Sequence, residues 1–275
     1  MVSPVPRYSP ACFPTSVVRT RAAGDFLLSE TRYASEAALP THSHEYACVV
    51  VVLEGRFEER QEAKTRTVGP GMVIVRPEGE PHSNRFAHGG GRCLNVELPP
   101  RWLGGMRDVA VRSTASSSGP FVLLGRRLHL ELVQGDGVSA LAVESLVLDL
   151  LVGLAREERR PASAAPRWLL RARDRIHDDP AARFTLAELA ADAGVHPVHL
   201  ATAFRRFFGQ PVAATLRQLR LELACRELSR SDASIADVAS LAGFADQSHL
   251  GRALKRALQV TPAAYRAATR RVPTP

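Results

Sequence analysis

The chain has 275 residues, enough for two domains with separate cores, and a formal net charge of +8. From Pro166 onward it carries 17 Lys and Arg against 10 Asp and Glu, whereas residues 1–165 hold 19 against 18, so a phosphate-bearing partner is expected for the C-terminal part. Four cysteines without a CxxC pair exclude a disulfide scaffold, no apolar run flanked by charge marks a signal peptide, and the most apolar stretch, Val138 to Ala155, is interrupted by Glu144 and Asp149; a cytoplasmic protein with no membrane partner is the expectation.

Residues 1–24 are rich in Pro and Ser and read as irregular. Between Phe26 and Leu98 the pattern changes to short runs of β-formers separated by Gly and Pro: FLLSETRY, YACVVVVLEG, RFEERQ, MVIVRPEG, HSNRFA and CLNVEL. Close-spaced short strands predict an antiparallel barrel or sandwich over 25–120. Val49 to Leu53 is continuously apolar, as in a strand buried on both faces.

Alternation along THSHEYACVVVV would place His42, His44, Tyr46 and Cys48 on one face if no bulge intervenes, and His82, just after a Pro/Gly turn, can join them from a neighbouring strand. Three imidazoles and a thiolate suit zinc or another borderline divalent metal; the same residues also suit a small-molecule pocket without metal. Cys93 and Glu97 are reserve ligands. The segments THSHEYACVVVVLEG and GPGMVIVRPEGEPHSNRF resemble the two motifs of the cupin barrel, with Cys48 where that family usually carries Glu. The resemblance implies a cupin-like sensor domain, and the thiolate would favour zinc over iron or manganese.

Pro99 to Pro120 is broken by Gly and Ser and reads as a loop, after which Phe121 to Gln134 and Val138 to Arg160 read as helices. The wide apolar face of the second can pack on the strands. Arg156 to Pro166 turns Pro/Ala/Ser-rich, placing an interdomain linker at 161–166 ahead of an all-α domain over 167–270.

Within that domain one pattern occurs twice, 49 residues apart: TLAELAADAG (Thr185 to Gly194) and SIADVASLAG (Ser234 to Gly243). Thr185 with Glu188, and Ser234 with Asp237, have capping-box spacing; aliphatic residues at i, i+3, i+4 follow, and a Gly closes each helix. A second helix comes at once in each copy, giving two helix-turn-helix units, and Val212 to Ser229, with Leu216, Leu219, Leu223 and Leu228 on nearly one side, reads as a rod between them. GVHPVHLATAFRRFFGQ and GFADQSHLGRALKRALQVTPAAYR resemble the two halves of the AraC/XylS-type DNA-binding domain of bacterial transcription regulators. Two sites depart from that pattern: Gln259 stands where Gly usually closes the helix, and Pro211 is displaced by one place.

The expected architecture is α+β with two domains, an N-terminal antiparallel barrel and a C-terminal all-α domain, and the two resemblances together imply a non-enzymatic, sequence-specific regulator. Its partners are promoter double-stranded DNA, a small-molecule effector or metal, a second copy paired through 121–160, and RNA polymerase should it activate. The DNA-facing candidates are Val198, His199, Ala201, Thr202, Arg205 and Arg206 in the first unit and Gln247, Ser248, His249, Gly251, Arg252, Lys255 and Arg256 in the second. Arg252 matches a family position almost always occupied by Arg. A metal-dependent cupin oxygenase or isomerase with an appended helical domain is the alternative; Glu45 and Glu80 are the acids nearest in sequence to its His42/His44/His82 set.

Overall fold

A computed structural model describes residues 5–9, 15–61, 64–103, 114–116, 119–158 and 165–270. The chain divides into two compact units, Met1–Arg160 and Pro161–Pro275. The expected linker falls largely outside the described residues, as does Cys12.

The first unit is a nine-stranded curled sheet with two long helices. Its strands are β1 (Arg7–Tyr8), β2 (Ser16–Ala23), β3 (Phe26–Tyr33), β4 (Ala38–His44), β5 (Ala47–Gln61), β6 (Lys64–Val68), β7 (Val73–Arg76), β8 (His82–Leu98) and, after a short helix α1 (Pro100–Leu103), β9 (Thr114–Ser116). The main path runs β1-β4-β8-β5-β7-β9, with β2 added through β3 and β6 through β5. Pairing is antiparallel except for β1 on β4. The 17-residue β8 pairs with β4 at His82, Asn84 and Arg85 and with β3 from Gly91 to Glu97, while β5 pairs with it from Ser83 to Phe86 and from Gly91 to Leu98. Register shifts at Val52/Glu54 and Gly55/Phe57 let the long β5–β8 pair bend from one part of the sheet into the other.

Two expectations are corrected here. Ser16–Ala23, read as irregular, is a strand; it pairs only with β3 and leaves half its residues exposed, so its apolar content is thin. Pro99 to Pro120, read as a loop, contains α1 and β9.

The continuous run Val49 to Val52 is buried on both sides, at 0–2% exposure, because alternate residues enter different cores. Val49 and Val51 join Leu28, Val73, Val75, Leu94 and Val96 under the helices α2 (Gly119–Gln134) and α3 (Ser139–Glu158), which contribute Leu128, Leu132, Val143, Leu146, Val147, Leu150 and Leu154. Both helices of the 121–160 region, α2 and α3, are thus integral to this core. Close approach is possible because α2 meets the sheet at Gly125, where an added Cβ would stand 2.6 Å from Val51. A charged tie joins the same layers: buried Glu30 accepts from Arg92 Nε at 2.9 Å and lies 3.0 Å from His129 Nε2 of α2. On the opposite face Cys48, Val50 and Val52 meet Tyr33, Phe57, Ile74, Phe86 and Cys93, all from strands, so the sheet closes this core by curling.

The second unit comprises α4 (Arg167–Asp178), α5 (Leu186–Ala193), α6 (Pro197–Phe208), α7 (Val212–Arg230), α8 (Ile235–Leu241), α9 (Gln247–Leu258) and α10 (Pro262–Arg270). Thr185 accepts from Glu188 N–H at 3.1 Å while Glu188 accepts from Thr185 N–H at 2.8 Å, a complete capping box. In the second copy Ser234 accepts from Asp237 N–H at 3.1 Å, and the shorter acid takes the Ser234 hydroxyl instead. Gln259 does occupy the left-handed conformation at φ 61°, a backbone cost borne without glycine. Pro211 sits at the N-cap of α7, which therefore lacks a side-chain cap, whereas Thr261 caps α10.

The rod α7 is not one-sided. Its first turns place Leu216 and Leu219 against the core of Leu169, Leu189, Leu200 and Phe204, and its later turns bury Leu221, Ala224, Cys225 and Leu228. Arg220 donates to the carbonyls of Pro180 and Ala182, both at 2.8 Å, fixing the loop before the first helix pair. Gly243, at the turn of the second pair with φ +75°, lies against that same loop: a Cβ there would be 2.7 Å from Ala181 O. The Gly243→Ala variant should therefore lose about 2 kcal/mol or more through steric and φ strain together, read as a lowered melting temperature. Gly194→Ala, where nothing lies within 4 Å of the added carbon, should lose only about 1 kcal/mol from the φ term.

Candidate functional site

In the second unit each helix pair ends in a twelve-residue helix with a polar N-cap: His196 Nδ1 accepts from Val198 N–H, and Asp246 accepts from His249 N–H at 2.6 Å. Leu200 and Phe204 of α6, like Leu250 and Leu254 of α9, are fully buried, which turns the other side of each helix outward. Val198, His199, Thr202, Arg205 and Arg206 are exposed on α6, as are Gln247, Ser248, His249, Arg252, Lys255 and Arg256 on α9; Ala201 and Gly251 are half-buried.

Several cations elsewhere in this unit are occupied. Arg220 and Arg266 donate to backbone carbonyls, and Arg173 and Arg270 pair with Asp174 and Asp232. Among the described residues no carboxylate or carbonyl takes Arg205, Arg252, Lys255 or Arg256. Arg206 lies over the Phe207 ring, 5.8 Å from its centroid. The two matched histidines are each held by an aromatic ring, His199 against Trp168 at 5.1 Å and His249 against Phe244 at 5.2 Å. Uncompensated cations projecting from two helix faces form a surface for a polyanion.

In the first unit β4 and β8 bring together His42, His44 and His82, all buried, with potential ligand atoms within 4.8 Å of one another. His42 and His82 are direct partners across the ladder, and Tyr8 of β1 covers the group 5.0 Å from the His42 ring. Tyr8 falls in the segment read as irregular, and no periodic signal marked it. His42 Nδ1 lies 2.8 Å from Pro40 O and His82 Nδ1 3.1 Å from Glu80 O. A carbonyl only accepts, so both Nδ1 atoms carry the proton and both Nε2 atoms keep a lone pair. His82 Nε2 is buried and finds no partner among the described residues. Burial, then the Arg76 charge, pushes all three imidazoles below their usual range, His44 to about 3, so they are neutral at neutral pH. Three neutral imidazoles with ligand atoms this close fit a borderline divalent ion.

Cys48 does not join them. The chain bends at Glu45 and Tyr46 between β4 and β5, so the alternation expected to carry the histidine face on to residue 48 is broken. Its thiol packs with Val50 and Ile74, and burial pushes it up to about 11 despite the nearby Arg76. Cys93 and Glu97 are also outside the histidine group. Sequence reasoning missed a buried ion pair beside it: Glu59, 1% exposed, accepts from Arg76 Nε at 2.9 Å and from Arg66 Nε at 2.5 Å.

No described helix is long and apolar enough to cross a membrane. Residues 189–268 match the model of a helix-turn-helix domain. A putative AraC-like transcription regulator of Streptomyces lividans is 35% identical over 242 residues, covering 80% of this chain and 77% of its own. The transcriptional activator NphR of Rhodococcus sp is 29% identical over 262 residues, 86% of this chain and 75% of its own. Among solved structures, the AraC-like transcriptional activator CuxR is 17% identical with a TM-score of 0.43, covering 76% of this chain and 80% of that one. The DNA-binding domain of AdpA, solved with a target DNA, is 31% identical with a TM-score of 0.36 and covers 37% and 92%. An identity of 35% over 242 residues is too long to lie in either unit alone, and with the helix-turn-helix match it makes this chain a member of the AraC-like family of transcription regulators.

Proposed function

We propose that α5–α6 and α8–α9 act as two helix-turn-helix units that place α6 and α9 in successive major-groove segments of promoter DNA, while the first unit, a cupin-like barrel, senses a divalent metal or small molecule. The observation that carries the DNA reading is the run of exposed cations along α6 and α9 that no acid among the described residues neutralises, in contrast to Arg220, Arg266 and Arg270, which are tied to carbonyls or an acid. Arg252, Lys255 and Arg256 would contact phosphate or base, with Arg205 and Arg206 doing so in the first unit; Gln247, Ser248 and Gly251 complete the second face, and His199 and His249 flank the two helices. Zinc is the metal we assign, because three neutral imidazoles with a free fourth position are a zinc donor set. When bound, such an ion supplies a positive centre able to polarise an effector; the protein's own residues hold His42 and His82 in one tautomer, with the Tyr8 ring beside them.

A homodimer through α3 is part of the reading. Val138, Leu141, Ser145, Leu148 and Val152 recur at spacings of three and four residues, and Val138 and Leu141 are 63% and 69% exposed, an apolar seam suited to a second copy. A metal-dependent enzyme remains the second reading, favoured by the histidine cluster alone.

Genome-wide mapping of bound fragments, followed by gel retardation with the full chain at low salt, should yield a preferred promoter duplex whose affinity falls steeply with salt. Metal analysis of the purified protein should find about one zinc per chain, absent in His82→Ala. Failure to retard any fragment would remove the DNA reading. Turnover dependent on the bound metal would move the barrel to the enzyme class.

A further inference from the structure

The two groove helices are matched residue for residue with an offset of 50: Val198 with Ser248, Ala201 with Gly251, Thr202 with Arg252, and Arg205 with Lys255. Length, capping and burial are alike, so these positions present equivalent points of two similar surfaces. Their chemistry diverges at Val198/Ser248 and Thr202/Arg252 and agrees at Arg205/Lys255. On α9 the leading turns offer a hydroxyl and a guanidinium, with Gln247 beside them. On α6 the same points offer an isopropyl group that is 66% exposed, a methyl, and a threonine bearing one methyl and one hydroxyl.

Val198, in the first turn of a short helix, leaves most of its side chain uncovered among the described residues. In a major groove the one apolar group on a base edge is the methyl at C5 of thymine; the other groups displayed there are hydrogen-bond donors and acceptors. Recognition-helix contacts to base edges are made by N-terminal residues, which on α6 are Val198, His199, Ala201 and Thr202; the His199 ring is held against Trp168, which leaves Val198, Ala201 and Thr202. We infer that α6 reads C5-methyl groups of pyrimidines through these three side chains, whereas α9 reads hydrogen-bonding edges, so the operator has two chemically unlike halves. This rests on the groove placement of α6 and α9 proposed above. Cytosine methylated at C5 presents the same methyl, so the ligand is that group, with thymine and 5-methylcytosine as its two sources.

The test uses the full chain and its preferred duplex. Each thymine is replaced in turn by deoxyuridine, which removes the methyl and keeps every hydrogen-bonding atom. Roughly three- to fivefold weakening per contacted methyl is expected, the equivalent of one buried carbon group at ~0.8 kcal/mol, confined to one half of the site. Val198→Ala, at an exposed position that leaves folding intact, should reduce that uracil penalty and leave the other half's preferences and the salt slope unchanged. Tighter binding on methylating a cytosine in the same half identifies any C5 methyl as the ligand; a uracil penalty without that gain identifies thymine. Affinity unmoved by uracil throughout the site, or a uracil penalty undiminished in Val198→Ala, overturns the inference. A chain that binds no duplex at all would overturn the groove reading instead, and is recognised before any base is changed.

Discussion

Replacing Glu59 by alanine should destabilise the first unit by about 3–5 kcal/mol, since the substitution leaves a buried cation unpaired. Glu59 is 1% exposed and Arg76 6%, and the Arg76 guanidinium meets the Glu59 carboxylate through Nε at 2.9 Å and a terminal nitrogen at 2.6 Å. Burial by itself would raise the Glu59 pKa; Arg76 and then Arg66 outweigh it and hold the carboxyl below its ordinary range. The sign of the pH dependence follows. A carboxylate lowered in the folded state adds stability that is complete above its unfolded pKa, about 4.3, and is lost as pH falls through the folded value. The gap between the wild type and Glu59→Ala, measured by denaturant unfolding, should be widest near pH 7 and narrow below about pH 4. Removing both partners, as Glu59→Leu with Arg76→Met, should recover most of the loss because no charge is then stranded. A double variant as unstable as the single one would show that packing at residue 59, and not its charge, holds the curl together. The same substitution has a functional readout: Arg76 lies close enough to depress the histidine pKa values, so without Glu59 its charge should also weaken zinc uptake by the cluster.

What the amino-acid order reveals depends on whether a residue's role is local. Thr185, Glu188, Gly194 and Ser234 act within one turn of themselves, so the starts of α5 and α8 and the stop of α5 were readable from spacing alone. The double burial of Val49 to Val52 was readable because it needs only a run of apolar residues. Glu59 was not: in RFEERQ it looks like the solvent side of an edge strand, and only the curl that brings β7 and β6 over it makes it interior. A period-two argument from Phe57 puts Glu59 on the inward face, where only a cation brought from another strand can keep a carboxylate. Cys48 fails for the reverse reason. Period two was carried across Glu45 and Tyr46, where the chain bends, and the extrapolated face ended in a different core. The histidine group survived because His42 and His44 precede the bend and His82 is brought opposite by the ladder itself.

Arg252→Ala should weaken binding to the preferred duplex by about 1–3 kcal/mol, roughly 5–150-fold, and relax preference at one base pair. Arg252 stands one turn into α9, exposed, while Leu250 and Leu254 bury the opposite side, so its guanidinium is aimed away from the core. No acid holds it among the described residues, unlike Arg270, which Asp232 engages. An uncommitted guanidinium loses little on meeting DNA, since it gives up no partner but water. Two destinations are open to it, and they have different signatures. If it spans the O6 and N7 of a guanine, the loss in Arg252→Ala is large on the preferred duplex and small on a scrambled one, and Arg252→Lys, which keeps the charge but not the fork, fails to restore discrimination. If it lies on phosphate, both duplexes weaken alike, the salt slope drops by about one unit, and lysine restores most of the affinity. The expected pattern is the first, because the matched residue on α6 is Thr202, too short to reach a phosphate across the groove: a helix pair that needed a phosphate anchor at this point would need it in both copies. Anchoring is expected instead from Arg205 and Lys255 one turn later, where both helices carry a cation.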